Sequence, residues 1–442
     1  MEIIFKILQF VAALSLLVLV HEFGHFFFAK LFKCRVEKFY LFFNLWFTPF
    51  KFRIGETEYG IGWLPLGGYC KISGMIDESM DTEQMKRPPQ PHEFRSKPAW
   101  QRLLVMVGGV LMNVLLAFFI YVGASMHWGD SYYATEDVNN AYGFEFSELA
   151  REVGFQNGDK IVGIDGRVIE NSNEIGSTLL LDNVENVQIE RDGQLFDVSM
   201  HPQYIAGMLN SEKAFVGPLF PLIVEDVVPG GDAEAAGLQS GDRLVALNGK
   251  PVSLRQNLIA QHGGETVELE IARDSAGIQQ TLFRQVSVSE EGVIGIVLHP
   301  VQIPVCRQTY NFLQAIPKGF ERAKVELGNY LKQIRLIFSP KTEAYKQVGG
   351  LIAIGKIFPG QWDWYFFWHI TAMLSIMLAV LNLLPIPGLD GGHVVFVLYE
   401  MVTRRKPNDK FMEYVQWVGM ILILFLLVYT NGNDIVKLFT KS

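Results

Sequence analysis

Residues 16–28 read LLVLVHEFGHFFF and place three ionisable side chains inside an apolar segment. The apolar run begins near residue 3, and its length approaches the roughly 20 residues that a helix needs to cross a bilayer. On a helix His21 and His25 share one face, so both imidazoles can bind one zinc ion while Glu22 stands beside it as a general base. Because ionisable groups are costly at membrane depth, a functional site is the default interpretation. The alternative is a set of polar residues on a helix that emerges at the cytoplasmic surface.

Three further segments have the composition of membrane spans, namely residues 103–122, 366–384 and 415–429. The third of the four spans breaks at Pro385-Ile386-Pro387-Gly388 and resumes as an apolar run over residues 394–398. These lengths predict a multi-pass α-helical membrane protein with about four transmembrane helices. We expect the first span to be retained rather than removed as a signal peptide, because its leading residues include a glutamate and no small-x-small cleavage site follows its apolar core.

The overall composition excludes several classes of protein. The chain has 442 residues, of which 49% are hydrophobic and 19% charged, with a formal net charge of -8 and a mean hydropathy of +0.19. A disordered chain is excluded, and we expect no nucleic-acid partner, because hydrophobicity is high and no basic surplus exists. The three cysteines cannot build a disulfide framework and show no CxxC spacing.

Acidic residues are concentrated in one internal block. Residues 126–338 contain 29 Asp or Glu and 16 Lys or Arg, whereas the rest of the chain has a balance of +5. Basic residues cluster in the loops at 30–102 and 403–410, which are therefore predicted to be cytoplasmic. Both termini and the acidic block are then expected outside, with the zinc site towards the cytoplasm.

An internal repeat occurs within the acidic block. Residues 154–166 (GFQNGDKIVGIDG) and 237–249 (GLQSGDRLVALNG) match position by position at an offset of 83. Each copy has a Gly-Asp turn, an alternating strand and a hairpin signal, which predicts two small α+β domains, at 126–220 and 221–305. Both resemble the bacterial type of PDZ domain, whose groove binds extended peptides or C-termini, and the second copy fits that pattern better. The alternative role for both is that of a spacer or size filter.

Residues 306–345 are predicted to be a linker that contains an amphipathic helix. Apolar residues recur at helical spacing between Tyr310 and Phe338, with charged residues between them. Such a helix fits a position on the surface of the lipid bilayer or, as the alternative, against the repeats.

The third span offers candidates for a further zinc ligand. Two histidines leave a tetrahedral zinc one protein ligand short when water occupies the fourth position. Residues 382–393 read NLLPIPGLDGGH, and non-helical backbone at membrane depth is tolerated only where it is buried or lines a cavity. We rank Asp390 first as the third ligand, with His393 as a rival. His369 is expected to be a histidine of the core.

These motifs together resemble the site-2 proteases, the zinc metalloproteases of regulated intramembrane proteolysis. The resemblance covers nearly the whole chain. It rests on HExxH in the first span, NxxPxPxLDGG at residues 382–392, GxxxN at residues 109–113, and tandem PDZ domains between the second and third spans.

The resemblance implies a role for six residues and one cofactor. The ligands of a single Zn2+ would be His21, His25 and Asp390. Glu22 would be the catalytic base. Asn382 and Asn113 would contact the substrate or the oxyanion, and the alternative for each is a polar residue that packs between helices.

The resemblance also implies an architecture. The membrane catalytic core would consist of two parts, residues 1–125 and 346–442. A membrane-associated β-hairpin would lie within the cytoplasmic loop 36–76, at about residues 56–72.

The implied function is that of an intramembrane endopeptidase of the bacterial inner membrane. Its substrates would be transmembrane segments of single-span proteins, such as an anti-sigma factor already shortened in an envelope stress response, and leftover signal peptides. Both termini and the PDZ domains would be periplasmic. The alternatives are a catalytically silent PDZ adaptor, which needs neither HExxH nor LDGG, and a zinc-binding transporter, for which no inverted repeat is apparent.

Overall fold

The computed structural model describes residues 1–44, 46–65, 67–75, 88–211, 213–252, 258–275, 278–340 and 342–440. The α-helices, in chain order, are α1 (Glu2–Leu31), α2 (Ala99–His127), α3 (Thr135–Ala141), α4 (Glu148–Val153), α5 (Ile175–Leu181), α6 (Pro202–Asn210), α7 (Asp232–Ala235), α8 (Phe312–Ile337), α9 (Leu351–Ile357), α10 (Trp364–Leu383), α11 (Asp390–Thr403) and α12 (Asp409–Thr440). The strands are β1 (Val36–Leu41), β2 (Phe50–Ile54), β3 (Thr57–Ile61), β4 (Tyr69–Ile72), β5 (Asp130–Tyr133), β6 (Phe144–Phe146), β7 (Lys160–Ile164), β8 (Asn186–Arg191), β9 (Gln194–Ser199), β10 (Val216–Pro218), β11 (Leu222–Val227), β12 (Arg243–Leu247), β13 (Lys250–Pro251), β14 (Thr266–Ser275), β15 (Ile278–Ser287), β16 (Ile296–Leu298) and β17 (Val305–Gln308).

The chain forms two compact units. The first unit combines Met1–Gly129, Gln308–Arg335 and Tyr345–Ser442, and the second combines Asp130–Arg307 and Leu336–Ala344. The first unit therefore joins residues from both ends of the chain.

Four helices in the described part of the chain are long and apolar enough to cross a membrane. They are α1, α2, α10 and the part of α12 from Lys410 to Val436. The third predicted span is interrupted as expected: α10 ends at Leu383 and α11 begins at Asp390. In the intervening turn Gly388 has a φ of +91°, a conformation that costs glycine little.

Helix α2 is the centre of the first unit and packs against α1, α10 and α11. Its contact with α1 depends on Gly24 and Gly108, because a methyl group built on either glycine would overlap the backbone of the other. Small residues allow membrane helices to approach at backbone distance, where van der Waals contact holds them together. This contact brings the histidines of α1 against α2.

The loop between α1 and α2 forms a four-stranded sheet in the order β2-β3-β1-β4. Strand β1 pairs with β3 in parallel and with β4 in antiparallel orientation, and β2 and β3 form an antiparallel hairpin. The order leaves β4 at one edge of the sheet.

The hairpin expected at residues 56–72 differs from this arrangement. Strands β3 and β4 are not neighbours, because β1 lies between them, and the hairpin consists of β2 and β3 instead. The buried Tyr40 of β1 explains the order: its ring contacts Gly60 of β3, where a side chain would overlap it, and stacks on Tyr69 of β4 at a centroid distance of 5.2 Å. Leu66 and the end of the predicted loop at residue 76 lie outside the described residues.

Helix α8 is amphipathic, as the spacing predicts. Between its start and Arg335, one face packs on α2 and α10 through Ala323, Tyr330 and Ile334. A neighbouring stripe of apolar side chains is exposed and consists of Leu313, Ile316, Phe320, Leu327 and Leu331.

Among the described residues, the second unit contains two large hydrophobic cores and a small third cluster of Ile205, Leu336 and Ala344. The first core lies beneath the sheet β7-β8-β9 and the pair β6-β10, and the second beneath the sheet β15-β14-β12-β11-β16. Each predicted repeat contributes the first strand of its motif to its own core, β7 in one case and β12 in the other. The assignment of these modules as PDZ domains stays a prediction, and residues 212, 253–257 and 276–277 lie outside the described part.

A buried Asp–Arg pair occurs at the same place in both modules. Arg191 donates to both carboxylate oxygens of Asp159 at 2.6 and 2.7 Å, and Arg273 donates to Asp242 at the same two distances. Each arginine also donates to the carbonyl of the glycine that opens its motif, at 2.9 Å. The Gly-Asp turn of each repeat is thus tied to a strand that follows it.

Candidate metal centre

Three polar side chains of the first unit converge on one point between α1 and α11. His21 Nε2 and His25 Nε2 are 3.3 Å apart. Asp390 Oδ2 is 3.1 Å from the first nitrogen and 3.3 Å from the second. The structure therefore brings together the two histidines of HExxH and the aspartate of LDGG, which are the three residues predicted to share a metal ion.

The spacing of these three atoms fits a tetrahedral zinc ion. A tetrahedron with bonds of about 2.0 Å has edges of about 3.3 Å. Asp390 Oδ2 is buried and receives no hydrogen bond within the described structure. Three donor atoms at these distances can share one cation, and imidazole nitrogen and carboxylate oxygen are donors that zinc accepts.

His25 is oriented by the backbone of α2. Its Nδ1 lies 2.8 Å from the carbonyl oxygen of Val105, and because a carbonyl only accepts, Nδ1 carries the hydrogen. The tautomer that results leaves the lone pair on Nε2, the atom that faces Asp390.

Gly109 of α2 lies directly beneath both imidazoles. A methyl group at this position would be 2.6 Å from His21 Cε1 and 2.6 Å from His25 Nε2. Sequence reasoning reached Gly109 only through the GxxxN resemblance and missed its steric role. The signal was a Gly-Gly pair in the middle of an apolar span.

Glu22 projects from the same helix towards the sheet. Its carboxyl interacts electrostatically with both imidazoles and with Asp390, and with the backbone amide of Cys70 in β4. Gly68, immediately before β4, approaches Glu22 closely enough that an added methyl would be 3.4 Å from its Cγ. The edge strand therefore passes over the cluster.

The two predicted asparagines lie on different sides of His21. Asn382, in the last turn of α10, places Nδ2 3.2 Å from His21 Nε2, the metal-facing atom. Asn113 places Nδ2 3.2 Å from His21 Nδ1 and is completely buried in α2. The burial of Asn113 argues against the direct substrate contact that the resemblance implied.

Neither of the other two candidate histidines joins the cluster in the part of the chain that the structure describes. His393 Nε2 lies 3.0 Å from Nε2 of Gln416 in α12. His369 donates from Nδ1 to the carbonyl of Tyr365 at 2.7 Å and lies against that ring at a centroid distance of 4.0 Å, but it is only partly buried and is not the core histidine that was expected. Gln416 was missed from the sequence, although it is a polar residue inside the fourth apolar span.

The sequence matches one peptidase family over most of its length. A family model described as Peptidase family M50 matches residues 9–426. The chain belongs to peptidase family M50. Within this family, the regulator of sigma-E protease RseP of Escherichia coli is 27% identical over 466 residues, covering 99% of this chain and 100% of that protein. The protease RseP of Yersinia pestis is 26% identical over 468 residues, covering 99% and 100%.

A third M50 relative, from Rickettsia conorii, bears the name of a zinc metalloprotease and is 28% identical over 446 residues, covering 98% of this chain and 99% of that protein. The predictions of a site-2 protease, of a metalloprotease and of zinc as its cofactor are thereby confirmed. This M50 peptidase also carries four helices of membrane-spanning length and composition in its described part.

Proposed function

We propose that this M50 peptidase is an intramembrane endopeptidase that hydrolyses peptide bonds within transmembrane segments of single-span proteins. The observation that carries the proposal is the convergence of His21, His25 and Asp390 between helices that are long and apolar enough to lie in a membrane. A peptidase centre at that position acts on a chain that is itself in the membrane.

The residues divide the chemistry among them. His21, His25 and Asp390 hold one zinc ion, which polarises the scissile carbonyl and acidifies the attacking water when it is bound. Glu22 takes the proton from that water and returns it to the leaving amine. The Asn382 amide, beside His21 Nε2, donates a hydrogen bond to the oxygen that becomes negatively charged.

The edge of β4 receives the substrate backbone. A transmembrane helix conceals its carbonyls in internal hydrogen bonds, so the substrate has to unwind before attack. Strand β4 lies at one end of the strand order β2-β3-β1-β4, and the substrate strand is added beside it. Its contact with Glu22, through the Cys70 amide, holds a strand added there close to the base.

The substrate class follows from the charge distribution and from the relatives. Basic loops face the cytoplasm and the acidic modules face the periplasm of an inner membrane, with both termini also periplasmic. The Escherichia coli relative is named for its regulation of sigma-E. The proposed substrates are therefore anti-sigma factors with a shortened outer domain, and leftover signal peptides. The two modules restrict access as PDZ domains that bind new C-termini or as size filters.

Replacement of Glu22 tests this function. Glu22→Gln should retain zinc yet lower the cleavage rate by about 10²–10⁴-fold, because only the proton acceptor is removed. The assay is cleavage of a helix-destabilised single-span substrate by the full chain in detergent, with zinc content measured in parallel. Glu2→Gln, an acidic residue at the exposed start of the same helix, is the matched control and should behave as wild type. Cleavage by Glu22→Gln at the control rate would contradict the proposal.

A further inference from the structure

Asn113 is fixed between three helices at the back of His21. It is completely buried, and its backbone carbonyl accepts a hydrogen bond from Ser375 Oγ of α10 at 2.8 Å. Its side chain reaches the Nδ1 atom of His21 at 3.2 Å. The residue has no access to a substrate but direct access to a ring on the metal cluster.

The contact between Asn113 and His21 fits a metal-bound His21 in only one orientation of the Asn113 amide. A His21 ring that offers the Nε2 lone pair to a metal carries its hydrogen on Nδ1 and needs an acceptor there. With Nδ2 towards the ring, two donors face each other, and Asn113 Oδ1 is buried without a partner among the residues that the structure describes. A half-turn of the amide exchanges its oxygen and nitrogen and lets Oδ1 accept the Nδ1 hydrogen.

We propose that Asn113 is a positioning residue that accepts the Nδ1 hydrogen of His21 and so fixes the tautomer whose Nε2 binds zinc. This inference rests on the proposed role of His21 as a ligand. It makes the two histidines equivalent, because His25 already donates from Nδ1 to the Val105 carbonyl. One face of α2 then contacts both rings. The Val105 carbonyl accepts from His25, Gly109 lets both imidazoles approach the helix closely, and Asn113 Oδ1 accepts from His21.

Two substitutions of Asn113 distinguish its role as a hydrogen-bond acceptor for His21 from packing or substrate contact. Asn113→Leu has similar size but no acceptor and should weaken zinc binding by about 10–100-fold, the range for partners that orient metal ligands. Asn113→Asp keeps an acceptor and should retain wild-type affinity. Zinc affinity is measured on the full chain in detergent by competition with a chromophoric chelator, and Co2+ absorption reports the coordination.

Controls guard against a loss of folding. Ser125→Ala removes a buried hydroxyl of α2 that has no hydrogen-bond partner in the described part of the chain, and it should leave zinc affinity unchanged. Asn113→Ala removes the amide without adding bulk and replaces Asn113→Leu if that variant does not fold. The midpoint of thermal unfolding without zinc is compared for all variants.

Each result decides one point. Weak binding by Asn113→Leu with normal binding by Asn113→Asp supports the proposal. If both variants lose the same zinc affinity, the proposal is wrong, and Asn113 acts through packing or as a hydrogen-bond donor. If Asn113→Leu binds zinc with normal affinity but no longer cleaves substrate, the proposal is wrong and Asn113 contacts the substrate instead. His21→Ala with normal zinc affinity would instead refute the ligand assignment of the proposed function.

Discussion

At the scale of the residue, the geometry of the metal cluster depends on the absence of a side chain at position 109. Gly109 has no side chain, and the two imidazoles occupy the space that one would fill. In a well-formed zinc site the ligand distances lie within about 0.2 Å of their standard values. A single added carbon is thus sufficient to disturb the site without touching any ligand.

Gly109→Ala should therefore lower zinc affinity by about 10–100-fold, because the methyl displaces His21 and His25 from their common point. Chelator competition with the full chain measures the change. Gly123→Ala is the matched control on the same helix, where a methyl meets nothing within 4 Å, and it should leave zinc binding unaltered. Equal zinc affinities of Gly109→Ala and Gly123→Ala would contradict this prediction and show that α2 shifts to accommodate the methyl group.

The site residues that could be predicted from the sequence are those that local spacing identifies. His21, Glu22 and His25 follow from the period of a helix, and Asp390 follows from a polar residue beside a broken span. The contacts of Gly109 and Asn113 depend on where two helices cross, which no local pattern encodes. The acceptor for His25 is a backbone carbonyl. Because every residue has one, the residue type does not reveal this contact.

At the scale of the element, α12 is attached by polar contacts near its two ends. Near its start, Gln416 accepts from the backbone N–H of Gly388 at 2.9 Å and lies beside His393. Near its end, Asp434 accepts from the N–H groups of Gly350 and Ala353 at the start of α9, both at 2.9 Å. The side chains from Ile421 to Tyr429 are mostly exposed apolar groups. The first attachment supports the turn that separates Asn382 from Asp390.

Gln416→Leu should reduce the free energy of unfolding by about 1–3 kcal/mol, because the Gly388 N–H loses its acceptor in a partly buried place. Titration with sodium dodecyl sulfate in detergent micelles measures it. Tyr414→Leu, at a position that is 70% exposed on the same helix, is the control and should change stability little. Indistinguishable curves for both variants would mean that α12 does not support the turn.

The elements were predicted to different degrees. The apolar spans, the break in the third span and the amphipathic α8 were predicted from hydropathy and spacing. The sheet was not, because glycines and turn residues at 56–72 indicate reversals but not which strands pair. Insertion of β1 between β3 and β4 depends on the fit of Tyr40 between Gly60 and Tyr69, a contact between residues up to 29 positions apart in a mixed sheet.

At the scale of the whole molecule, residues 130–307 of the acidic block and the basic-flanked helices fold around separate cores. The cores of the second unit contain no residue of the first unit. In each module a buried aspartate, 1% exposed in the first and fully buried in the second, is paired with its arginine. Most of the acidic block therefore packs apart from the membrane-type helices, whereas its last part, in α8, packs on α2 and α10.

Asp242→Ala should destabilise its module by about 3 kcal/mol, because Arg273 loses its partner, and should leave zinc affinity unchanged. Hydrogen exchange of β12 and β14, together with chelator competition, measures both effects. Glu225→Ala, an exposed acidic residue of the same module, should change neither. A loss of zinc affinity in Asp242→Ala alone would indicate that the modules act on the metal centre.

The distance along the chain between the parts of the metal centre has a consequence during synthesis. Asn382 and His21 are in contact although 361 residues separate them. At about 5–20 residues per second, roughly 20–70 s pass between translation of the histidines and translation of the third span. During that interval the nascent chain contains Glu22 and the two candidate histidine ligands but not Asp390. The candidate metal centre therefore cannot form until Asp390 has been translated.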